Sequence, residues 1–421
     1  MTATLGEEAL ALHRKFQGKI AVKPLYKVAD KHTLALAYTP GVADVSLAVR
    51  DKPELAYDLT CKGRMACVLT DGTRVLGLGD IGPLAALPVM EGKCMLLKSF
   101  GGVDAVPICL DTKDEEEIVR VAKAIAPSFG AILLEDISSP KCFSIEKKLE
   151  SLLDIPVFHD DQHGTAIVAL AGLINALKLT GREEKKTVRI VIAGAGAAGV
   201  AIARLFYAYG FRAISVCDSR GAICKGRTDL EEYKKELLPI LAPVPASSTS
   251  APGSSSSSFQ PPSLRELLRN ADVFVGASAP NILKAEDIKT MAPKPVVFAL
   301  SNPNPEISAD EAAAGAAASP AASPIGAGAS VLIYGSGRSD WPNQINNVLG
   351  FPGIFRGLLA CRAKRMSAGM KLAAASAIAK LAEKEGMSAD KIVPNPFDKK
   401  LARVVSKAVM KAAKKEGLAR V

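Results

Sequence analysis

Short apolar runs, each stopping at a polar or acidic residue, alternate with stretches of helical spacing along most of the chain. VDAVPICL (103–110), GAILLEDI (130–137) and IPVFHDD (155–161) have strand length and predict buried strands. Between the first two, EEEIVRVAKAIAPSFG (115–130) spaces its apolar positions as a helix does. MACVLTDGTRVLGLGD (65–80) places two β-like runs around Asp71-Gly72, which predicts a hairpin. TAIVALAGLINALKL (165–179) is apolar almost all round and predicts a helix buried between two lobes. The second half repeats the rhythm in TVRIVIAG (187–194), FRAISVCD (211–218), ADVFVGAS (271–278), VVFALS (296–301) and SVLIYGS (330–336). Strands apolar on both faces belong to a parallel sheet covered by helices. Residues 242–258 and 312–330 carry no charge and almost no bulky apolar side chain. They cannot build a core and are expected as surface insertions or flexible loops.

The pattern predicts an α/β protein in three parts. These are an N-terminal α/β domain (1–163), a Rossmann-type parallel-sheet dinucleotide-binding domain (164–360) and a C-terminal helical segment (361–421).

At 421 residues and 48% apolar, the chain can bury a large core. It has no unbroken apolar run of about 18 residues, which argues against a membrane span. Aromatics make up 5%, with one tryptophan, which leaves little for stacking on single-stranded nucleic acid. The net charge of +10 is local: residues 362–421 hold fifteen basic and five acidic side chains, and residues 1–361 hold thirty-eight of each. The tail lysines recur among alanines at helical spacing, as on a solvated face. A basic exterior, rather than nucleic-acid or membrane binding, is therefore expected. The eight cysteines form no CxxC pair and several lie in apolar runs, which suits reduced thiols in a core. The N-terminus carries two glutamates and no long apolar region, and reads as neither secretory signal nor transit peptide, so a cytoplasmic location is expected.

TVRIVIAGAGAAGVAIARLFYAYG (187–210) is a strand, a Gly-x-Gly-x-x-Gly turn and a helix. In the turn Gly194-Ala195-Gly196-Ala197-Ala198-Gly199, the first glycine allows the bend. The second lets a pyrophosphate approach the backbone, and the third packs helix on strand. The phosphates then sit at the positive end of the helix. AISVCD ends in Asp218, placed to hold adenosine ribose hydroxyls. That carboxylate repels a 2′-phosphate and tips the reading towards NAD, although Arg220, Lys225 and Arg227 follow and keep NADP open.

Glu135, Asp136 and Asp161 end consecutive strand-like runs, with Asp160 preceding the last. Strand ends on one edge of a parallel sheet lie side by side, and carboxylates gathered there repel unless a cation joins them. All-oxygen ligands suit Mg²⁺ or Mn²⁺ rather than zinc. His159 and His163 flank the pair of aspartates and are expected in structural or supporting roles.

YTPGVA (38–43), TDGTRVLGLGDIGPLAALPVMEGK (70–93), LEDI (134–137) and FHDDQHGTAIVALAG (158–172) resemble the malic enzymes in their short prokaryotic form. So do GAGAAG (194–199), FALSNPNPE (298–306), GRSDWPNQINNVLGFPGIFRG (337–357) and IVPNPFD (392–398), in the same order. The resemblance implies oxidative decarboxylation of L-malate to pyruvate and CO₂ with reduction of NAD or NADP. It gives the first domain the substrate and metal sites and makes a homodimer the expected assembly. It implies Tyr38 as general acid, Lys93 as general base, and Glu135, Asp136 and Asp161 as metal ligands, with Asp160 of the paired-aspartate motif as a further catalytic residue. Arg74 matches a substrate-carboxylate arginine. Asn302, Asn346 and Asn347 match positions that contact malate or the nicotinamide end. Trp341 stands where tyrosine or phenylalanine is usual, and His163 where glutamine is frequent; neither touches a primary role. For the base, burial is expected to bring the Lys93 pKa down to about 7–8. Two alternatives remain. One is malolactic decarboxylation to lactate on the same site, and the other is a dinucleotide-binding regulator without catalysis.

Overall fold

The computed structural model describes residues 4–243, 259–319, 332–338 and 340–421. Its N-terminal arm is helical: α1 (Leu5–Phe16), α2 (Lys31–Ala37), α3 (Val42–Asp51) and α4 (Ala56–Leu59). A first sheet follows, from β1 (Met65–Thr70), β2 (Asp104–Cys109), β3 (Ala131–Leu134) and β4 (Val157–His159). Helices α5 (Gly82–Leu96), α6 (Glu115–Ile125) and α7 (Lys141–Leu152) connect its strands. All pairings are parallel, in the order β2-β1-β3-β4. Helix α8 (Asp160–Thr180) leads to the second sheet, with β5 (Arg189–Ala193), α9 (Ala197–Tyr209), β6 (Ala213–Asp218), β7 (Gly221–Ala222) and α10 (Glu232–Lys235). There follow α11 (Leu264–Leu268), β8 (Val273–Gly276), α12 (Ala285–Lys289), β9 (Val296–Ala299), α13 (Ala309–Ala317) and β10 (Ile333–Ser336). The strand order is β10-β9-β8-β5-β6-β7, parallel except for the short antiparallel edge strand β7. Helices α14 (Phe351–Ala360), α15 (Ala368–Lys384) and α16 (Leu401–Lys415) close the chain.

The period of two along each strand divides the core. Ala66 and Val68 of β1, Ile190 and Ile192 of β5, and Val296 and Phe298 of β9 all face one shared apolar core, which also contains α8 and α14–α16. Their neighbours face outward layers. Cys67 and Leu69 pack under α6 and α7, while Val191, Ala193, Val297 and Ala299 pack under α11–α13. Helix α8 thus lies between the two sheets, as its all-round apolar sequence predicts, and it runs unbroken through positions 163–164. By length and composition it is apolar enough to cross a membrane, but it is the buried centre of this core.

Three expectations are corrected. The hairpin at Asp71-Gly72 does not form. Asp71 Oδ1 instead accepts from the Thr73 N–H and hydroxyl, Lys141 pairs with its other oxygen, and Gly72 bends the chain away at φ +69°. With the segment turned aside, β1 pairs with β2 and β3 instead. β2 is half-buried along its whole length, because it is the sheet edge, where Pro107 removes no needed donor. Finally, the start of the segment 312–330 is not a loop. Ser308 caps α13, and the lack of bulk lets Ala312, Gly315 and Ala316 pack closely in the core. Residues 244–258 and 320–331 lie outside the described residues.

Candidate active site

Two chain reversals assemble the acidic end of the first sheet. β3 ends at Leu134, and Glu135 leaves the sheet with its N–H bonded to Leu69 O. Asp136 then takes a left-handed backbone, φ +54°, and donates its N–H to Asp161 Oδ2 at 2.8 Å. β4 runs into α8 without a loop, so Asp160 and Asp161 occupy the first helical turn, where the helix dipole favours negative charge. Lys93, one turn from the end of α5, reaches in from the facing layer. Its Nζ lies 2.6 Å from Asp160 Oδ2 and 2.8 Å from Glu135 Oε1, and 4.7 Å from the Phe351 ring centre.

Glu135, Asp136 and Asp161 each offer an oxygen within 4.8 Å of the others. Burial and the neighbouring charge of Asp161 push the Asp136 carboxyl up to about 7. Glu135 is raised well above the carboxylate range by burial, against the pull of Lys93. Glu135 Oε2, Asp136 Oδ2 and Asp160 Oδ1 are buried without hydrogen-bond partners. Orphaned, mutually repelling oxygens of this kind fit a hard divalent cation.

The expected lowering of Lys93 is not found. Burial does work against its charge, but the carboxylates of Asp160 and Glu135 outweigh it and hold the ammonium above its ordinary pKa. As arranged here, Lys93 is the counter-charge of the cluster rather than a free base.

The remaining residues distribute unevenly. Arg74 joins the site through its N–H, which donates to Asp136 O at 2.9 Å, and its charge lowers the Asp136 pKa. Asn347 stands beside Asp160: a Cβ placed on Gly164 would meet Asp160 Oδ1 at 1.9 Å and Asn347 Cβ at 3.0 Å. Asn346 is tied into its own loop, bonding Val348 N–H and Gly337 O. Asn302, exposed, lies between Gly77 of the first domain and Gly337. Tyr38 is the one not gathered in. It is 68% exposed at the end of α2, in an arm (residues 4–60) with no buried residue.

The glycine turn is formed as expected. Gly194 has φ +108°, and a Cβ there would meet Ala277 O at 2.3 Å. A Cβ on Gly199 would meet Gly194 O at 1.8 Å, whereas one on Gly196 finds nothing nearer than Ser139 Oγ at 3.8 Å. Gly196 therefore leaves room in front of the α9 N-terminus, where a pyrophosphate fits. Asp218 ends β6, and Arg227 holds both its oxygens, at 2.9 and 3.2 Å.

The family model described as "Malic enzyme, NAD binding domain" matches residues 162–414, and "Malic enzyme, N-terminal domain" matches 17–150. The chain belongs to the malic enzyme family. It is 48% identical to a bifunctional malic/malolactic enzyme of Bacillus subtilis over 99% of this chain and 95% of that one. It is 41% identical to an NADP-dependent malic enzyme of Halomonas elongata, over 100% and 96%. The crystal structure of an NAD-dependent malic enzyme from Thermotoga maritima superposes with a TM-score of 0.84 at 41% identity, covering 96% of this chain and 98% of that one.

Two features of this malic enzyme site escape a reading of the sequence. Phe351 faces Lys93 from α14, more than 250 positions away, with nothing local to mark the pairing. Glu146 binds the residues around the paired aspartates from within α7, where it looks like any helical glutamate. The flanking histidines were the available signal.

Proposed function

We propose that this site carries out the oxidative decarboxylation of L-malate to pyruvate and CO₂ and prefers NAD to NADP. In this reading Glu135, Asp136 and Asp161 hold Mg²⁺ or Mn²⁺, and the enzyme works as a homodimer in a reducing, cytoplasmic compartment. The observation that carries it is Lys93, clamped between Asp160 and Glu135 beside the cluster Glu135, Asp136 and Asp161, in which Glu135 and Asp136 each keep a buried oxygen without a partner.

When bound, the cation supplies Lewis-acid pull on the malate C2 oxygen and the nicotinamide supplies the hydride acceptor. The chain's own groups move the protons. Lys93 takes the proton of the C2 hydroxyl, which requires it to be neutral. It becomes so only when the charges of Asp160 and Glu135 are engaged elsewhere, since they now hold it as ammonium. Arg74 pairs with a substrate carboxylate, while Asn347, beside Asp160, and Asn302, between Gly77 and Gly337, contact malate or the nicotinamide end. Tyr38 returns a proton to C3 after CO₂ has left. It needs cover to do so, and the exposed apolar arm that carries it supports burial against a second copy.

The preference for NAD rests on Asp218 and on the cations around it. The Arg227 side chain is 3% exposed and spent on Asp218 and Asp229, and Arg220 also pairs with Asp229. Arg227 is thus committed, whereas the Arg220 side chain is 71% exposed and Lys225 is exposed without an ion pair among the described residues. The preference therefore rests on Asp218, which Arg227 and Lys234 hold ionised against its partial burial.

Steady-state kinetics with malate, Mn²⁺ and each dinucleotide, followed at 340 nm, test the proposal. Reduced cofactor should accumulate, with the higher kcat/KM for NAD, and Lys93→Ala should lose about 10²–10⁴-fold. Malate consumption without rising absorbance would establish malolactic decarboxylation instead. Full turnover by Lys93→Ala would remove Lys93 from the base role.

A further inference from the structure

Asp160 and Asp161 lie in the first turn of a helix that begins the moment β4 ends, so the rotation of that turn decides where both carboxylates point. The turn does not fix its own rotation, because the N-cap residue, His159, provides no side-chain cap. The missing contact comes from α7. Glu146 Oε1 accepts the His159 N–H at 2.9 Å; Oε2 accepts Gln162 Nε2 at 2.9 Å and lies 3.0 Å from His163 Nε2. One carboxylate thus grips the residue before the aspartate pair and the two residues after it. It stands in for the capping box that the helix lacks.

We propose that Glu146 is the positioning residue of the metal site, orienting α8 so that Asp160 meets Lys93 and Asp161 meets the Asp136 N–H. The inference rests on the metal reading above. Glu146 touches none of the three ligands and acts only through residues 159, 162 and 163. Its surroundings keep it charged. Though buried, its carboxyl is held down to about 2 by His163 and by Lys371 of α15. Lys371 acts on Glu146 by its charge alone and makes no ion pair with it, so the contacts that hold α8 are those to residues 159, 162 and 163.

The test compares Mn²⁺ binding by electron paramagnetic resonance, without turnover, in the wild-type protein and in Glu146→Gln. The glutamine keeps the size but turns an amide NH₂ toward two donors. Supporting partners of metal ligands are worth about 10–100-fold in affinity, and that weakening is expected here. NADH affinity, read by fluorescence, should stay within about twofold because the glycine turn is untouched. Gln162→Leu, which removes one bond and leaves the carboxylate, should weaken Mn²⁺ by a smaller factor and serves if Glu146→Gln does not fold. Unchanged Mn²⁺ affinity in either folded variant overturns the proposal. So does a parallel loss of Mn²⁺ affinity, NADH affinity and melting temperature, which would mark Glu146 as a general structural residue. A wild-type protein that binds no Mn²⁺ would overturn the metal reading itself, and it is measured first.

Discussion

Asp136 gives the site a measurable proton balance. Its carboxyl titrates near 4 in an unfolded chain and near 7 in the folded one, where burial and Asp161 disfavour its charge. Between those values the native state holds a proton that the unfolded state has lost. Stability without metal therefore falls as pH rises through that window. A divalent cation needs the carboxylate charged and cancels the penalty, so its stabilising effect should grow over the same range. We expect the difference in melting temperature between Mn²⁺-loaded and EDTA-treated protein to widen from pH 5 to pH 7.5. Asp136→Asn should flatten the slope in EDTA. A gap that is constant or narrows with pH would contradict the assignment. The identity of these acids was legible because strand-ending carboxylates announce themselves in a parallel α/β pattern. The state of Lys93 was not, because it depends on which charges lie within 3 Å of Nζ, and those come from Glu135, just past β3, and from α8, far away in the chain.

Among the elements, the β5–turn–α9 unit was read almost complete from its sequence, yet its glycines are not equivalent. Gly199 is a packing position, since its missing Cβ would fall 1.8 Å from Gly194 O. Gly196 faces open space before the helix N-terminus. Gly196→Ala should therefore fold with a melting temperature within about 2 °C of wild type, yet bind NADH at least tenfold more weakly, its methyl standing where phosphate approaches. Gly199→Ala should lower the melting temperature and NADH affinity together, by the 1–3 kcal/mol typical of overpacking. Thermal melts with NADH fluorescence titrations separate the two, and equal behaviour of the variants would refute the distinction. The hairpin misread at Asp71-Gly72 shows the opposite case. Local turn chemistry there is real, but Asp71 spends it on Thr73 and Lys141, and a strand's partner is chosen by the sheet, not by its nearest neighbour in sequence.

Across the whole molecule, apolar surface and charge are both unevenly placed. Of twenty-five large apolar side chains that are exposed among the described residues, sixteen lie between Leu5 and Leu59. The surplus of positive charge sits at the other end. There Lys380, Lys384, Lys400, Lys411 and Lys415 rim a 760 Å³ groove between α15 and α16, on the solvated face expected of them. An arm so rich in Leu, Val and Tyr, and so poorly buried by its own chain, calls for a cover, and a second copy of this chain is the proposed one. Because Tyr38 lies on the arm, association and catalysis should fail together. Val22 and Leu25 are 94% and 74% exposed, so charges there cost a lone chain nothing in packing but cannot be buried in an interface. Val22→Asp/Leu25→Asp should sediment as a monomer where wild type sediments as a dimer. It should keep wild-type Mn²⁺ and NADH affinities, since neither site touches the arm's apolar face, and lose about 10²–10⁴-fold in malate turnover, as removal of a positioned acid does. Full activity in a monomeric variant would show that Tyr38 needs no second copy. A wild-type monomer at working concentration would leave the arm without its cover and end the dimer proposal.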